Sequence, residues 1–515
     1  MATTQSSLTR AALAGKQVLI TGTTGFLGKV LLEKIIRDIP EVGGVTLIVR
    51  GSKKYPDALE RCRAEIFTSS VFERLQESNP QTLKRFFDEK ITCVSGEITE
   101  PFFGLSEDVF TALALKTDVL VNSAASVNFH EPLDQALKIN AYCLENAAKF
   151  SRAGGNVPVI QVSTCYVNGK NNGIIREEVY GPASTRVMRD SDGFYDIDSI
   201  FADLEQRIAQ VKGRGLDAET LSEALTELGL AEANRYGWGD TYTFTKWLGE
   251  QVILRRMKGQ TLTIVRPSVV ESCLQEPVAG WIEGVKVTDA ILLAYAREKV
   301  SFFPARKAGV VDIIPVDLVS NSLCLSMAEA LSNPGSSRIY QCCSGSQNPL
   351  NVKRYVYTVC EEVRQNWAKY PKLCRKQPQR KFRLMNKHLF VAGIKMLKAV
   401  LSAASLLSGR SASTSRAVRM LESTLKLTGI YATYTSPRYV FNSDQLMALA
   451  ERMGERDKAL FPVDAALIDW DHYFCDIHVA GLNHYGMETR ALAPIPAEVI
   501  PEGAEPAELN EGAVA

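Results

Sequence analysis

The chain has 515 residues, 46% of them hydrophobic and 23% charged, and its 59 basic residues nearly cancel its 58 acidic ones. A single core rarely serves more than about 250–300 residues, so two domains are expected, and the charge balance leaves no global field to draw nucleic acid. Eleven cysteines without a C-x-x-C pair and five histidines without an H-E-x-x-H pattern exclude the common zinc spacings, so no metal is expected.

The N-terminal stretch 1–13 is rich in Ser and Thr and lacks the apolar core of a signal peptide, which predicts a cytoplasmic, reducing setting with free thiols. Short apolar, β-branched runs then recur at 17–21, 45–49, 91–95, 118–123, 158–163 and 262–266, alternating with amphipathic stretches. That rhythm predicts an α/β fold, a Rossmann-type doubly wound parallel sheet of six strands, with a mainly helical C-terminal domain. The expected division is a dinucleotide-binding reductase domain over 1–370 with an insertion at about 168–238, a C-terminal domain over 371–493, and a disordered tail over 494–515. The tail is rich in Pro, Glu and Ala and has little to bury. The apolar stretch 384–407 carries Lys387, His388, Lys395 and Lys398, charges too central for a membrane span. It reads as helices packed on the main domain or as a basic amphipathic surface in peripheral contact with a membrane.

The first strand runs into Gly22-Thr23-Thr24-Gly25-Phe26-Leu27-Gly28 and then into a helical pattern. A strand, a glycine turn and a helix in that order form a dinucleotide cradle: glycine lets backbone approach a pyrophosphate, and the helix N-terminus offers N–H groups to it. The second strand ends in Val49-Arg50-Gly51-Ser52-Lys53-Lys54, where an NAD enzyme would place an acid. Arg50, with Lys53 or Lys54 behind it, suits a 2′-phosphate instead, so NADPH is predicted. Glu97 and Ile98 close the third strand near the expected adenine, and Ser123 and Ala124 close the fourth beneath the cofactor.

The fifth strand ends in Ser163-Thr164-Cys165, at the carboxyl edge where open α/β sheets bind ligands. Tyr242 and Lys246 share one face of a helical segment. Carbonyl reduction needs a proton donor at the oxygen, and a tyrosine near a pKa of about 10 needs a neighbouring cation to act as one. Tyr242 is therefore predicted as the acid, Lys246 as the group that lowers its pKa and holds the nicotinamide ribose, and Thr164 as the hydroxyl that polarises the carbonyl. Ser163 is the substitute for Thr164. Cys165 reads either as a covalent nucleophile or as a small packing residue.

These stretches, together with Arg266-Pro267-Ser268-Val269-Val270, Phe461-Pro462-Val463-Asp464 and Ile468-Asp469-Trp470, resemble the alcohol-forming fatty acyl-CoA reductases of the extended short-chain dehydrogenase/reductase superfamily, over nearly the whole chain. The resemblance implies a Thr164, Tyr242 and Lys246 triad. It implies NADPH held at Gly22, Thr24, Gly25, Phe26, Leu27, Gly28, Arg50, Glu97, Ile98, Ser123, Ala124 and Pro267 as well as Tyr242 and Lys246. The implied reaction takes a long-chain fatty acyl-CoA through a fatty aldehyde to a fatty alcohol, with the acyl chain partly under the C-terminal domain, and a homo-oligomer is compatible with it. The rivals are a reductase that stops at or starts from the aldehyde, a nucleotide-sugar epimerase or dehydratase, and a non-catalytic NADP-binding regulatory protein.

Overall fold

The computed structural model describes residues 6–182, 187–407, 418 and 434–487, so the expected tail lies outside the described residues. Seven parallel strands form the central sheet: β1 (Gln17–Thr21), β2 (Gly44–Val49), β3 (Ile91–Ser95), β4 (Val119–Asn122), β5 (Val159–Val162), β6 (Leu262–Pro267) and β7 (Ser337–Cys342). Their order is β7-β6-β5-β4-β1-β2-β3, which puts the reversal of direction, and with it the ligand crevice, between β1 and β4. Strands β4, β5 and β6 are buried along their whole length. Helices cover both faces there, which is why those strands read as unbroken apolar runs. The expected count of six strands is corrected to seven: the apolar run at Cys342 and Cys343 reads as a strand in the sequence but not as one of the parallel set, because β7 begins with exposed Ser337 and Arg338 and is buried only from Tyr340 onward.

Helix α1 (Phe26–Asp38) follows the glycine turn and is buried from Gly28 to Ile36. The insertion contributes α2 (Ile197–Lys212) and α3 (Ala218–Tyr236), whose N-termini are capped by Asp196 and Asp217. They pack beside α4 (Thr241–Arg256). Asp240 caps α4, accepting from the Thr243 amide at 2.8 Å. From Thr243 to Ile253 every residue of α4 is buried, so the helix lacks a polar face and must be placed by packing and by its own polar groups. The strongest of those is Glu250. Its carboxylate takes a bidentate pair from Arg266 on β6, at 2.8 and 2.6 Å, with both side chains 1% exposed. Arg266 donates its remaining arm to the Glu178 carbonyl at 2.8 Å.

The C-terminal part contains α5 (Lys387–Leu407), the helices Asp444–Met453 and Glu455–Leu460, and a run of short helical turns from Trp470 to Gly486. Two short strands tie it back. Arg383–Met385 pairs with Phe302–Pro304, and Tyr439–Phe441 pairs with Gly173–Ile175 in the insertion. Among the described residues, no helix is long and apolar enough to cross a membrane.

Removing one partner of the buried pair leaves the other charge uncompensated, a loss of about 3–5 kcal/mol. Arg266→Met should therefore lower the free energy of urea unfolding by that amount, and adding Glu250→Gln should restore part of it. A loss below about 1 kcal/mol in the single variant would show that the pair does not hold α4 in place.

Candidate active site

The turn between β1 and α1 has no room for side chains. Gly22 takes φ +79°, and a Cβ there would lie 2.7 Å from the Ala124 amide nitrogen and 2.8 Å from the Ser123 carbonyl carbon. At Gly28 a Cβ would come within 2.4 Å of the Gly22 carbonyl oxygen. The chain thus folds tightly over the end of β4, with Ser123 and Ala124 directly under the turn. No side chain caps α1, so its first N–H groups remain available to an anion at the mouth of the crevice. A bare backbone cradle of this kind fits a dinucleotide. Thr24 and Leu27 lie partly open on the turn. Phe26 has a packing role as well: its ring stacks on Trp281 with centroids 5.5 Å apart, and Lys286 Nζ stands 3.9 Å from the ring centre.

At the ends of β2 and β3, Arg50 Nη1 donates to Glu97 Oε2 at 3.4 Å, and the Arg50 side chain is 66% exposed. The arginine is accessible to a phosphate, while Glu97 is further engaged by the Thr99 amide at 3.2 Å. Ile98 accepts from Asn146 through its carbonyl at 3.0 Å, which fixes the loop after β3.

Thr164, Tyr242 and Lys246 come together at the carboxyl edge of β5. Thr164 is buried, accepts from the Tyr166 amide at 3.3 Å, donates to the Pro267 carbonyl at 3.4 Å, and stands near enough to the Tyr242 hydroxyl to act on its pKa. Ser163, its substitute, buries its hydroxyl without a hydrogen-bond partner. Lys246 is 5% exposed and donates to the Val162 carbonyl at 2.8 Å. Burial lowers its pKa to about 8, opposed by the charges of Cys143 and Glu250. Burial and Asp240 push the Tyr242 hydroxyl above its usual range, and the nearby Thr164 hydroxyl opposes that shift. The lowering by Lys246 expected from sequence is not among the influences on Tyr242, because the ammonium is turned to the Val162 carbonyl.

Cys165 is 1% exposed and its thiol donates to the Arg266 carbonyl at 3.0 Å. Burial and Cys343 raise its pKa well above the ordinary thiol value, so it remains a thiol and packs as a small apolar residue.

Several residues of the site have no sequence motif. The Tyr242 ring meets Phe129 edge-on at 5.8 Å, Phe129 meets Tyr434 at 5.7 Å, and Tyr434 leans on Tyr166 at 4.7 Å. The Tyr434 hydroxyl donates to Asp240 at 3.4 Å. An aromatic wall assembled from three distant parts of the chain therefore stands beside Tyr242. Of these, Asp240 alone has a signal that could have found it, an acid directly before a helical run, though it is not among the residues expected from sequence. Asn140, which donates to Thr245 at 3.1 Å and so braces α4, stands in a helical turn that gives no sign of that contact.

Two family models match, both described as "Male sterility protein": a nucleotide-binding one over residues 20–323 and a C-terminal one over 395–489. "Fatty acyl-CoA reductase 2, chloroplastic" of Arabidopsis thaliana is 31% identical, over 93% of this chain and 79% of its own. "Alcohol-forming fatty acyl-CoA reductase" of Simmondsia chinensis is 28% identical, over 91% of this chain and 97% of its own. Among solved structures, the terminal R domain from the myxalamid PKS-NRPS biosynthetic pathway aligns with a TM-score of 0.54 at 18% identity, over 95% of this chain and 93% of that one, a likeness of fold. With its glycine turn, its gathered Thr, Tyr and Lys, and matches along nearly its whole length, the chain belongs to the fatty acyl-CoA reductase family, enzymes built on the extended short-chain dehydrogenase/reductase fold.

Proposed function

We propose that this enzyme reduces a long-chain fatty acyl-CoA to a fatty alcohol through the fatty aldehyde, with NADPH as the reductant. The observation that carries the reading is the gathering of Thr164, Tyr242 and Lys246 at the sheet edge, where Thr164 acts on the Tyr242 phenol and Lys246, one helical turn along, donates to the Val162 carbonyl, together with the bare glycine turn. NADPH, held by the turn from Gly22 to Gly28, by Arg50 and by the ends of β3 and β4, supplies one hydride at each of two steps.

The substrate carbonyl sits against Thr164 and Tyr242. The Thr164 hydroxyl polarises the carbonyl oxygen, and Tyr242 gives it a proton as charge develops there. In the first step the thioester carbon gains hydride, the hemithioacetal collapses, and the C–S bond breaks to release coenzyme A as a thiol after protonation. The aldehyde then accepts the second hydride, and Tyr242 protonates the alkoxide. Lys246 places a positive charge where the tyrosinate forms and where the nicotinamide ribose binds. The aromatic wall of Phe129, Tyr166 and Tyr434 lines the approach for the acyl chain, which lies partly under the C-terminal part. The cysteines are all free thiols, which suits a reducing, cytoplasmic setting. A second feature favours peripheral membrane contact by α5: Leu389, Met396, Leu397 and Val400 are exposed on the helix that carries Lys395 and Lys398.

NADPH oxidation with palmitoyl-CoA, followed together with thiol release and product chromatography, tests the reading. Two NADPH per thiol with hexadecanol is expected. One NADPH per thiol with hexadecanal would limit the enzyme to the first step, and no oxidation despite bound NADPH would refute the substrate. Tyr242→Phe should lower kcat by roughly 100-fold or more with NADPH affinity unchanged, since the proton donor alone is removed; full turnover in that variant would overturn the assignment. Arg50→Asp should reverse the preference for NADPH over NADH, shifting the ratio of kcat/KM values by roughly 100-fold through lost pairing and added repulsion. An unchanged ratio would move the 2′-phosphate to another group.

A further inference from the structure

Away from the catalytic centre, Glu271, Asp289 and His478 bring three buried side-chain donor atoms within 4.8 Å of one another. Glu271 and Asp289 belong to the part matched by the nucleotide-binding family model, and His478 to the part matched by the C-terminal one. Glu271 ends the short strand Val269–Glu271, Asp289 opens the helix Asp289–Ala296, and His478 closes the helical turn Tyr473–His478.

The hydrogen bonds around His478 settle its tautomer. Tyr473 donates its one hydroxyl proton to the Ser272 carbonyl at 2.8 Å. Ser272 Oγ stands 3.1 Å from the same Tyr473 oxygen and 3.0 Å from His478 Nδ1. All three contacts are satisfied when Ser272 donates to Tyr473 and accepts from Nδ1–H; the opposite choice leaves two oxygens facing each other with no proton between them. With Nδ1 protonated, Nε2 of a neutral ring turns a bare lone pair to Asp289 Oδ1, 2.9 Å away. Two lone pairs cannot share a buried space at that distance without a cation between them.

Glu271 makes the same demand. One of its oxygens accepts from Thr288, and the other is buried without a partner although the residue is 0% exposed. The second Asp289 oxygen accepts from the Lys286 amide at 2.8 Å, which aims the first toward His478. Imidazolium alone would satisfy Asp289 but leave the Glu271 oxygen orphaned. One divalent ion answers both and neutralises two carboxylates around a neutral imidazole.

We infer that Glu271, Asp289 and His478 form a binding site for one divalent transition-metal ion, of which Zn²⁺ is the type, that clasps the C-terminal part onto the reductase part. One imidazole and two carboxylates are a zinc-competent set, and a ring held at its other nitrogen by Ser272 is the usual support of a metal-bound histidine. Zinc ligands at about 2.0–2.2 Å in a tetrahedral site stand roughly 3.4 Å apart, so Asp289 and His478, 2.9 Å apart, must open by about 0.5 Å and a ligand pair as far apart as 4.8 Å must close by about 1.4 Å. The site is closed to solvent, so the ion is structural and plays no part in hydride transfer. Such a site leaves no sign in the sequence because its ligands are not spaced as a motif; Asp289 and His478 alone are 189 residues apart.

The test is metal analysis of the full-length protein, expressed with Zn²⁺ in the medium and dialysed into metal-free buffer. About one Zn²⁺ per chain is expected. Stripping with a chelator should lower the melting temperature by at least about 3 °C, and added Zn²⁺ should restore it. Glu271→Gln, nearly isosteric, should fold and retain less than a tenth of the metal. The clasp is refuted if the protein carries no stoichiometric metal and its stripped form melts unchanged with added Zn²⁺ or Mn²⁺, the result if protons fill the cluster. It is equally refuted if Glu271→Gln and His478→Ala both keep a full equivalent.

Discussion

The Glu250–Arg266 pair decides where the catalytic helix stands. Helix α4 is buried on every side, so apolar packing alone would leave its rotation and its slide along β6 weakly specified. A bidentate pair between two 1%-exposed side chains removes that freedom, because either charge displaced by one residue would be stranded in a low dielectric. The third guanidinium bond, to the Glu178 carbonyl, reaches the insertion and fixes that segment against the same strand. Glu250 lies one turn beyond Lys246 and also favours its charged form, so one carboxylate both locates the helix and sustains the cation on it.

What could be read from the sequence follows from how local each signal is. Strands β1, β4, β5 and β6 stood out because a sheet covered on both faces needs unbroken apolar runs, and the glycine turn stood out because no other residue fits its backbone. Thr164, Tyr242 and Lys246 were legible as a strand end and a helix face. The seventh strand read only as an isolated apolar run at Cys342 and Cys343, because only half of it is buried. The aromatic wall was invisible because Phe129, Tyr166 and Tyr434 meet only in three dimensions. The pairing of Arg383–Met385 and Tyr439–Phe441 with strands of the reductase part blurs the boundary at 370, and three-residue strands are too short to carry a periodicity.

Those short pairings also bear on how the chain folds as a unit. The N-terminal helix begins where Asp457 accepts from the Ser7 hydroxyl at 2.7 Å and from the Leu8 and Thr9 amides at 2.7 and 3.2 Å. The first described residues are thus fastened to the C-terminal helix Glu455–Leu460. Each such bond contributes little alone. They join segments far apart in the sequence, and Tyr434 of the C-terminal part likewise reaches Asp240 at the head of α4.

The raised pKa of Tyr242 is compatible with the proton donation proposed for it. An acid for carbonyl reduction must hold its proton until hydride has added, and burial together with Asp240 keeps the phenol protonated throughout the neutral range. The alkoxide formed by hydride addition is a far stronger base than any phenolate, so transfer from Tyr242 remains downhill even from a raised value. The difficulty moves to the tyrosinate left behind, a buried anion beside a carboxylate. Lys246, one turn away and with its pKa lowered only to about 8, is still largely an ammonium at neutral pH, and in the proposed mechanism it must turn from the Val162 carbonyl toward the tyrosinate to supply the compensating charge, which would lower the Tyr242 pKa by the same interaction.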